Sequence, residues 1–201
     1  MNTQLISDQD FKIYGEKIYI RKLNRHDFTD RYLSWLNDPI VNKHSSRYGK
    51  TFCKRDLKSY VNNMNSTNYI LVGIFTMSNK EHIGNTLLGP IDFDNRSSEI
   101  SNLIGEKEYW EKGVALESCK LLIDYAFSNL ELHKITIGNL SPNRGATFLS
   151  KQLGFRLEGK LIEAVFLRRK YYNVLRFGLF KDEFYEKFPS LLDNRTNKKS
   201  K

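Results

Sequence analysis

The stretch that most constrains the fold of this chain is residues 97–129, where a strand pattern, a loop and a helix pattern follow one another. The helix is predicted because apolar residues recur at spacings of three and four on one face. The loop should bring its backbone N–H groups and the helix N-terminus, near Gly113, to one point, which favours an anion. The segment therefore predicts an anion-binding strand–loop–helix unit, with an ordinary surface loop as the alternative. The apolar residues are Ala115, Cys119, Leu122, Ile123, Ala126 and Phe127.

The loop lacks the two most familiar phosphate-binding patterns. There is no GxGxxG after a strand and no GxxxxGK[ST], so neither a dinucleotide site nor a nucleoside-triphosphate loop is indicated. The loop sequence YWEKGVALES, residues 109–118, resembles the pyrophosphate-binding motif of the GNAT superfamily of acetyl-CoA-dependent N-acetyltransferases. In the branch that includes ribosomal-protein and amino-sugar acetyltransferases, a Trp begins the motif and a Gly follows it. This chain has Trp110 and then Glu111 at the position where that Gly is common.

The resemblance implies that the pyrophosphate of acetyl-CoA rests on the loop backbone, with a cation and an unhindered glycine beside it. It also implies that the pantetheine arm lies along the preceding strand and hydrogen-bonds to the backbone near Leu103 and Ile104. The expected phosphate-binding residues are Glu111, Lys112, Gly113, Val114 and Ala115.

A second block, residues 139–159, resembles the helix and strand that follow in the same family. Ser141 is predicted as the N-cap, Pro142 as the first helical residue and Gly154 as the residue after the helix. Asn143 matches the family motif and is expected to contact the cofactor. Ser150 falls where many members have the tyrosine that protonates the leaving thiolate. Acid assistance from Ser150 is therefore weak, water-mediated or supplied from elsewhere, for instance by one of the tyrosines at 171 and 172.

The remaining patterns predict an α/β (α+β) chain of the GNAT fold, with a central mixed, mostly antiparallel sheet and helices on both faces. We expect a flexible N-terminus at 1–11, a single domain at 12–188 and a basic flexible tail at 189–201. Strands are predicted at 17–23, 69–76, 82–93, 98–104, 134–138, 155–161 and 171–180, and helices at 24–36, 51–64, 113–129, 142–153 and 183–188.

Composition excludes several classes of protein. The mean hydropathy is −0.53, and neither a membrane-spanning run nor a signal-peptide pattern is present, so a cytoplasmic protein is expected. Cys53 and Cys119, each in a predicted helix, lack metal-ligand spacing and are expected to be reduced thiols, with no metal. The net charge is +9, and the cations are spread along the chain except for clusters in the tail and at residues 168–170. No nucleic-acid-binding motif accompanies this charge. The charge fits a polyanionic cofactor and an anionic substrate.

The acceptor site is expected between the two early helices. LNDPIVNKHSSRYGKT, residues 36–51, resembles the corresponding segment of acetyltransferases that modify nucleotide-linked amino sugars in surface-polysaccharide pathways. The resemblance implies that His44 and Tyr48 contact sugar hydroxyls and that Arg47 binds nucleotide phosphates. Each of these residues could equally belong to a solvated polar loop.

For catalysis, Glu99 on the strand beside the thioester is the first candidate general base, with a simple salt bridge or solvent exposure as the alternative. Asp92, Asp94, His44 and His82 follow as candidates.

The expected function is acetyl transfer from acetyl-CoA to a primary amine, preferably on a nucleotide-linked deoxy sugar. The alternatives are the N-terminal amine of a ribosomal protein and a non-catalytic acyl-CoA-binding regulatory role. A peptide acceptor predicts an acidic groove, whereas a nucleotide sugar predicts a basic one, which the local excess of cations favours. No nucleic acid or membrane partner is expected, and the chain would be a monomer or a homodimer. The local cations are Lys43, Arg47, Lys50, Lys54 and Arg55.

Overall fold

A single eight-stranded sheet forms the centre of the structure, a computed structural model that describes residues 11–64 and 68–192. The strand order is β1-β2-β3-β4-β5-β6-β8-β7, and every neighbouring pair is antiparallel except β5 and β6. The prediction of a mixed, mostly antiparallel sheet is therefore confirmed. The strands are β1 Lys12–Tyr14, β2 Ile18–Lys22, β3 Ile70–Thr76, β4 His82–Asp92, β5 Ser97–Ile104, β6 Lys134–Leu140, β7 Arg156–Leu167 and β8 Lys170–Phe180.

The parallel strands β5 and β6 separate soon after they meet. Residues 97–99 of β5 pair with residues 134–136 of β6, and the pairing ends there. Both strands continue, held on their outer sides by β4 and β8, as far as Ile104 and Leu140. A V-shaped gap therefore opens between them, closed at residue 99 and open toward the C-terminal ends of both strands.

Helices cover both faces of the sheet, as predicted. Alternate residues of β3 point to opposite faces, so that Leu71 packs with α1 and α2 while Val72 packs with α3 and α5. Among the described residues, none of the helices has the length and apolar character needed to cross a membrane. The helices are α1 Asp30–Asn37, α2 Lys54–Asn63, α3 Val114–Ser128, α4 Arg144–Leu153 and α5 Lys181–Lys187.

Helix α3 is anchored by the apolar face that its sequence predicted. Cys119, Leu122, Ile123, Ala126 and Phe127 are all fully buried against the sheet. Burying one large apolar side chain contributes about 1.5–3 kcal/mol, so this face fixes the helix firmly. The position of the helix N-terminus, next to the end of β5, follows from this packing.

Three predicted helix starts are wrong. Helix α4 is capped by Asn143, whose Oδ1 accepts the Ala146 N–H at 3.1 Å, because Ser141 still belongs to the sheet end and donates its N–H to Asn173. Helix α2 begins after Cys53, whose N–H donates to Asp56 Oδ2 at 2.9 Å, and not at Thr51. The helix predicted from Asn24 starts later, because Asn24 and Asp27 form the cap of a short 3-10 turn and α1 starts separately after Thr29.

The ends of the expected domain are better anchored than the sequence indicates. Phe11, assigned to the flexible N-terminus, is buried with its ring 4.7 Å from that of Tyr125, and β1 follows it. Leu191, assigned to the basic tail, packs against the same core. Both assignments are corrected at these residues, because each supplies an apolar side chain to the core. The rest of the two predicted flexible segments, 1–10 and 193–201, lies outside the described residues.

Gly105 and Trp35 fit together so closely that a larger residue should be rejected. A Cβ at Gly105 would lie 2.0 Å from Trp35 Cδ2, and the indole is buried. We expect Gly105→Ala to lower the free energy of unfolding by about 2 kcal/mol, within the usual cost of overpacking. Chemical denaturation measures this. Gly159→Ala is the matched control, because its Cβ would meet nothing within 4 Å, and an equal loss there would contradict the packing argument.

Candidate active site

One edge of the gap is formed by the backbone of β5. The Gly105 N–H donates to the Ile83 carbonyl at 2.9 Å. In an antiparallel pair, the backbone groups of successive residues point alternately toward the partner strand and away from it, so this bond fixes which residues of β5 face β4. The backbone groups of Leu103 consequently point to Asn85 on β4, whereas those of Asn102 and Ile104 point into the gap. The backbone groups of Leu103, where a cofactor contact was expected, are therefore used by β4, and those of Asn102 face the gap instead.

The other edge is formed by β6. The Ser141 N–H donates to the Asn173 carbonyl at 2.9 Å, and the same alternation turns the backbone groups of Gly138 and Leu140 toward β5. Two strand edges thus face each other without pairing. An extended chain with amide groups, lying between them, would find donors and acceptors on both sides.

Trp110 closes part of the open end of this gap. Its indole Nε1 donates to the Ile104 carbonyl at 2.9 Å. Ile104 therefore keeps its N–H for a ligand, while its carbonyl is already bonded. The Trp of the motif has a local structural role, because it fastens the loop to the strand that precedes it.

The loop before α3 presents an open helix N-terminus. Glu111 and Gly113 have φ angles of +61° and +83°, and these two left-handed residues turn the chain into α3. Gly113 is the N-cap and has no side chain to accept the first N–H groups of the helix. Those N–H groups, including that of Ala115, are available to an anion. Lys17 adds a second cation beside Lys112, donating from Nζ to the Lys112 carbonyl at 3.3 Å.

The φ angle of Glu111 explains why glycine is common at this position in the resembled motif. Glycine adopts positive φ without strain, whereas a side-chain-bearing residue does so at a cost. The Glu111 side chain is exposed. A cavity of about 640 Å³ adjoins the loop and is lined by Lys17, Ile18, Thr76, Ser78, Tyr109 and residues 111–114.

An ion-pair network joins the loop to α1. Arg31 contacts Glu81 and places its Nε 2.5 Å from Glu106 Oε1. The same Glu106 oxygen accepts the Trp35 Nε1–H at 2.7 Å, and Glu81 Oε2 accepts the Tyr109 hydroxyl at 2.9 Å. The hydrogen bond from Arg31 lowers the pKa of Glu106. Sequence reasoning missed this network, because its members are distant in the chain and share no local spacing.

Glu99 lies where the gap closes, on the face covered by α1 and α2. Its Oε2 is 3.0 Å from Arg176 Nη1, and Arg176 also donates to Thr136 Oγ1 at 3.3 Å. The guanidinium reaches Glu99 by crossing Gly138, where any Cβ would lie 2.7 Å from Arg176 Nη1. The structure therefore contains the salt bridge that the sequence left as an alternative, and the role of Glu99 as a base stays a prediction.

Ser150 is buried inside α4. Its hydroxyl donates to the Ala146 carbonyl at 3.0 Å and accepts from Asn139 Nδ2 at 2.8 Å. The bond to Ala146 lies within α4, and the bond from Asn139 holds α4 to β6, so the geometry gives Ser150 a structural use. Its catalytic role stays a prediction, as does the cofactor contact of Asn143, whose Oδ1 caps the helix.

The expected acceptor loop is anchored by Asn42. This buried side chain donates from Nδ2 to the carbonyls of Trp35, Leu36 and Asp38, at 2.7, 3.0 and 2.9 Å, and so caps the end of α1. Its neighbours in the loop therefore have a defined position.

The three predicted contact residues are half-buried in this loop. Arg47 donates to the Tyr60 hydroxyl at 3.3 Å, and Arg168 lies over the Tyr48 ring at 5.4 Å. Burial lowers the pKa of His44, and its Nδ1 has no hydrogen-bond partner within the part of the chain that the structure describes.

His82, a reserve candidate for the base, belongs to the aromatic core. Its ring is stacked 4.8 Å from that of Phe75 and lies 4.9 Å from that of Trp35, and burial lowers its pKa. Asp92 accepts hydrogen bonds from Asn95 at the turn between β4 and β5, beyond the closed end of the gap. Neither geometry favours contact with a substrate in the gap.

The carboxylates near the acceptor loop are already engaged, whereas most of the cations are not. Asp30 pairs with Lys54 and Asp38 with Lys107, both at 2.8 Å. Lys54, one of the cations predicted near the acceptor loop, therefore already has a carboxylate partner. Among the residues at 11–64 and 68–192, the ion pairs include none of the following cations: Lys43, Arg47, Lys50, Arg168, Arg169 and Lys170.

Comparison with known proteins agrees with the fold. Residues 17–156 match the family model for the acetyltransferase (GNAT) domain. The chain is 27% identical to an uncharacterized N-acetyltransferase p20 of Bacillus licheniformis over 86% of this chain and 97% of that protein. It is 32% identical to a spermidine N(1)-acetyltransferase of Escherichia coli K12, where the match spans 52% of this chain and 55% of the relative.

A solved structure shares the architecture. The spermidine N-acetyltransferase of Vibrio cholerae, in complex with CoA and spermine, superimposes with a TM-score of 0.75 at 24% identity, over 85% of this chain and 99% of that one. The chain belongs to the GNAT acetyltransferase family. It is an N-acetyltransferase, and the gap between β5 and β6 with the open N-terminus of α3 fits the amide arm and the phosphates of acetyl-CoA.

Replacing Glu111 tests the role of the loop. We expect Glu111→Gly to lower the Kd for acetyl-CoA about fivefold, because a like charge near 4 Å in water costs about 1 kcal/mol. Calorimetric titration measures the Kd. Glu131→Gly is the control, since Glu131 also has a positive φ, +54°, but follows the C-terminal end of α3. An unchanged or higher Kd for Glu111→Gly alone would contradict the assignment of this loop to the phosphates.

Proposed function

We propose that the chain is a cytoplasmic acetyl-CoA-dependent N-acetyltransferase that acetylates the amino group of a nucleotide-linked amino-deoxy sugar in surface-polysaccharide biosynthesis. The observation that carries the choice of acceptor is the set of cations without carboxylate partners around the acceptor loop. Arg47 and Arg168 are placed over aromatic rings there, and neither is paired with a described carboxylate, so guanidinium N–H groups remain for an anion. The two phosphates of a nucleotide sugar supply such an anion.

On the donor side, the proposal uses the backbone more than side chains. Asn102 and Gly138 offer amide groups from opposite edges of the gap to the pantetheine arm. Gly113 and the residues after it offer N–H groups to the pyrophosphate, with Lys17 and Lys112 as neighbouring cations.

The chemistry requires one new C–N bond and the loss of one C–S bond. The amine nitrogen attacks the acetyl carbonyl carbon, a base takes a proton from the nitrogen, and the sulfur leaves as a thiolate that is then protonated. Alignment in the gap supplies much of the rate. Glu99, oriented by Arg176 at the closed end of the gap, is the proposed acceptor of the proton, directly or through water.

A polyamine is a second candidate acceptor, because one relative is a spermidine N(1)-acetyltransferase. A polycation needs free carboxylates, and here Glu81 and Glu106 are held by Arg31, while Asp38 is held by Lys107. The same argument disfavours a basic protein N-terminus. A non-catalytic acyl-CoA-binding role would require binding without turnover.

An acceptor panel tests the proposal. We expect release of CoA thiol with UDP- or dTDP-linked amino-deoxy sugars, and weak or no release with spermidine or ribosomal-protein N-terminal peptides, because the acceptor loop is basic. A thiol-detection assay with acetyl-CoA measures this. Transfer to spermidine alone would contradict the acceptor assignment. Tight binding of acetyl-CoA without release to any amine would favour the regulatory alternative.

Two variants distinguish a role of Glu99 as a general base from a role only in the salt bridge with Arg176. We expect Glu99→Gln to lower kcat about 100-fold, the usual scale of general-base catalysis, with little change in the Kd for acetyl-CoA. Arg176→Gln, which breaks the same pair but keeps the carboxylate, should lower kcat much less. Steady-state kinetics over a range of pH measures both variants. Equal losses in the two would assign Glu99 to structure only.

A further inference from the structure

The turn between β7 and β8 carries two arginines in a conformation that arginine disfavours. Leu167 pairs with Lys170, so the hairpin closes through Arg168 and Arg169 alone. Their φ angles are +52° and +60°, as in the two-residue turns for which Asn-Gly is the preferred sequence. In the chain from 11 to 64 and from 68 to 192, they are the one consecutive pair of non-glycine residues with positive φ.

The turn overhangs the open end of the gap. Strand β8 pairs with β6 as far as Val174, opposite Leu140, and its residues 170–173 extend beyond that strand. Because β5 and β6 run in the same direction, this is the end where they diverge. The turn therefore lies at the open end of the gap, next to the acceptor loop that Arg168 contacts.

The turn is docked, although most of β7 is exposed. Ile162 and Phe166 are 68% and 61% exposed, whereas Leu167, at the start of the turn, is 7% exposed. Arg168 lies over the ring of Tyr48 in the acceptor loop, with Cζ 5.4 Å from the ring centroid. The contact joins two segments that are far apart in the sequence and fixes the position of one guanidinium.

The charges around the turn have no internal counterpart. Arg168, Arg169 and Lys170 are consecutive cations, and Arg47 lies in the loop on which the turn docks. None of these four belongs to an ion pair with a described residue. His44 presents a buried ring nitrogen without a partner in the same loop. An arrangement that costs backbone energy and concentrates like charge is explained if an anion binds there.

We propose that the Arg168-Arg169 turn is a specificity element that binds the diphosphate of the acceptor, together with Arg47 of the loop on which the turn docks. This inference rests on the proposed function and adds to it residues that the family motifs do not include. Guanidinium groups suit the task, because their planar donors match phosphate oxygens in pairs. Tyr48 orients Arg168 for this contact through its ring.

The double variant Arg168→Asn/Arg169→Gly gives a sharp test, because it installs the preferred sequence for this turn. We expect the thermal unfolding midpoint to rise or stay the same, while the KM for the nucleotide sugar rises about tenfold or more, the scale of lost charge-assisted hydrogen bonds. The KM for acetyl-CoA should not change. A destabilised variant with an unchanged acceptor KM would make the turn merely structural and overturn the proposal.

Arg96→Gly is the matched control. Arg96 has a φ of +50° in the turn between β4 and β5, at the opposite end of the sheet, so the control removes one guanidinium from a residue with the same backbone conformation. We expect no change in the KM for the nucleotide sugar. An equal increase in both variants would indicate a general charge effect and overturn the proposal.

Binding of UDP, measured by calorimetry without acetyl-CoA, separates this inference from the proposed function. If the wild-type chain binds UDP and the double variant binds it at least tenfold more weakly, the diphosphate assignment stands whatever the turnover. If the wild-type chain acetylates a nucleotide sugar and the double variant does so with the same KM, the assignment fails while the proposed function survives. If the wild-type chain neither binds UDP nor acetylates a nucleotide sugar, both fail.

Discussion

The early divergence of β5 from β6 is the constraint on which the rest of the structure depends. A sheet that remained paired would satisfy its own backbone, whereas here the groups of Asn102 and Gly138 point into a gap. Backbone groups left without partners in a protein interior cost about 1–3 kcal/mol each, so the gap favours water or an amide-bearing ligand. The surrounding elements follow from it. Helix α3 begins beside the gap, α4 borders it next to β6, and Glu99 marks its closed end.

The second determinant is the guanidinium of Arg31, which two carboxylates share. Glu81 ends the turn before β4, and Glu106 begins the loop that leads into α3, so one side chain of α1 positions both. The side chains of Glu81 and Glu106 are more than four-fifths buried. Ion pairs in such a position hold their geometry better than pairs on an open surface. The buried indole of Trp35 also packs tightly against Gly105, so close packing as well as charge pairing holds this region in place. The loop before α3 is therefore braced from the opposite face of the sheet.

Periodicity and the two motifs predicted most of the fold, because they act within a few residues of each other. The buried face of α3, the left-handed Gly154 after α4 and the layered sheet all come from such local patterns. Local patterns failed where a distant partner decided the outcome. Ser141 is drawn into the sheet by Asn173 and leaves the cap to Asn143. The Arg31 network and the contact of Arg168 with Tyr48 join segments whose approach no spacing in the sequence indicates.

The way Asn42 fastens its loop has an evolutionary consequence. Its amide bonds three carbonyls at the end of α1, so the loop keeps its course whatever side chains follow it. Positions 43–48 can therefore diverge among descendants without loss of the scaffold, and the hairpin tip above them can diverge with them. The donor side has less freedom, because a change at Arg31 or Trp35 is transmitted to the loop before α3. In such a lineage, specificity for new acceptors would arise by substitutions at positions 43–48 and in the hairpin tip, while the acyl donor stays the same.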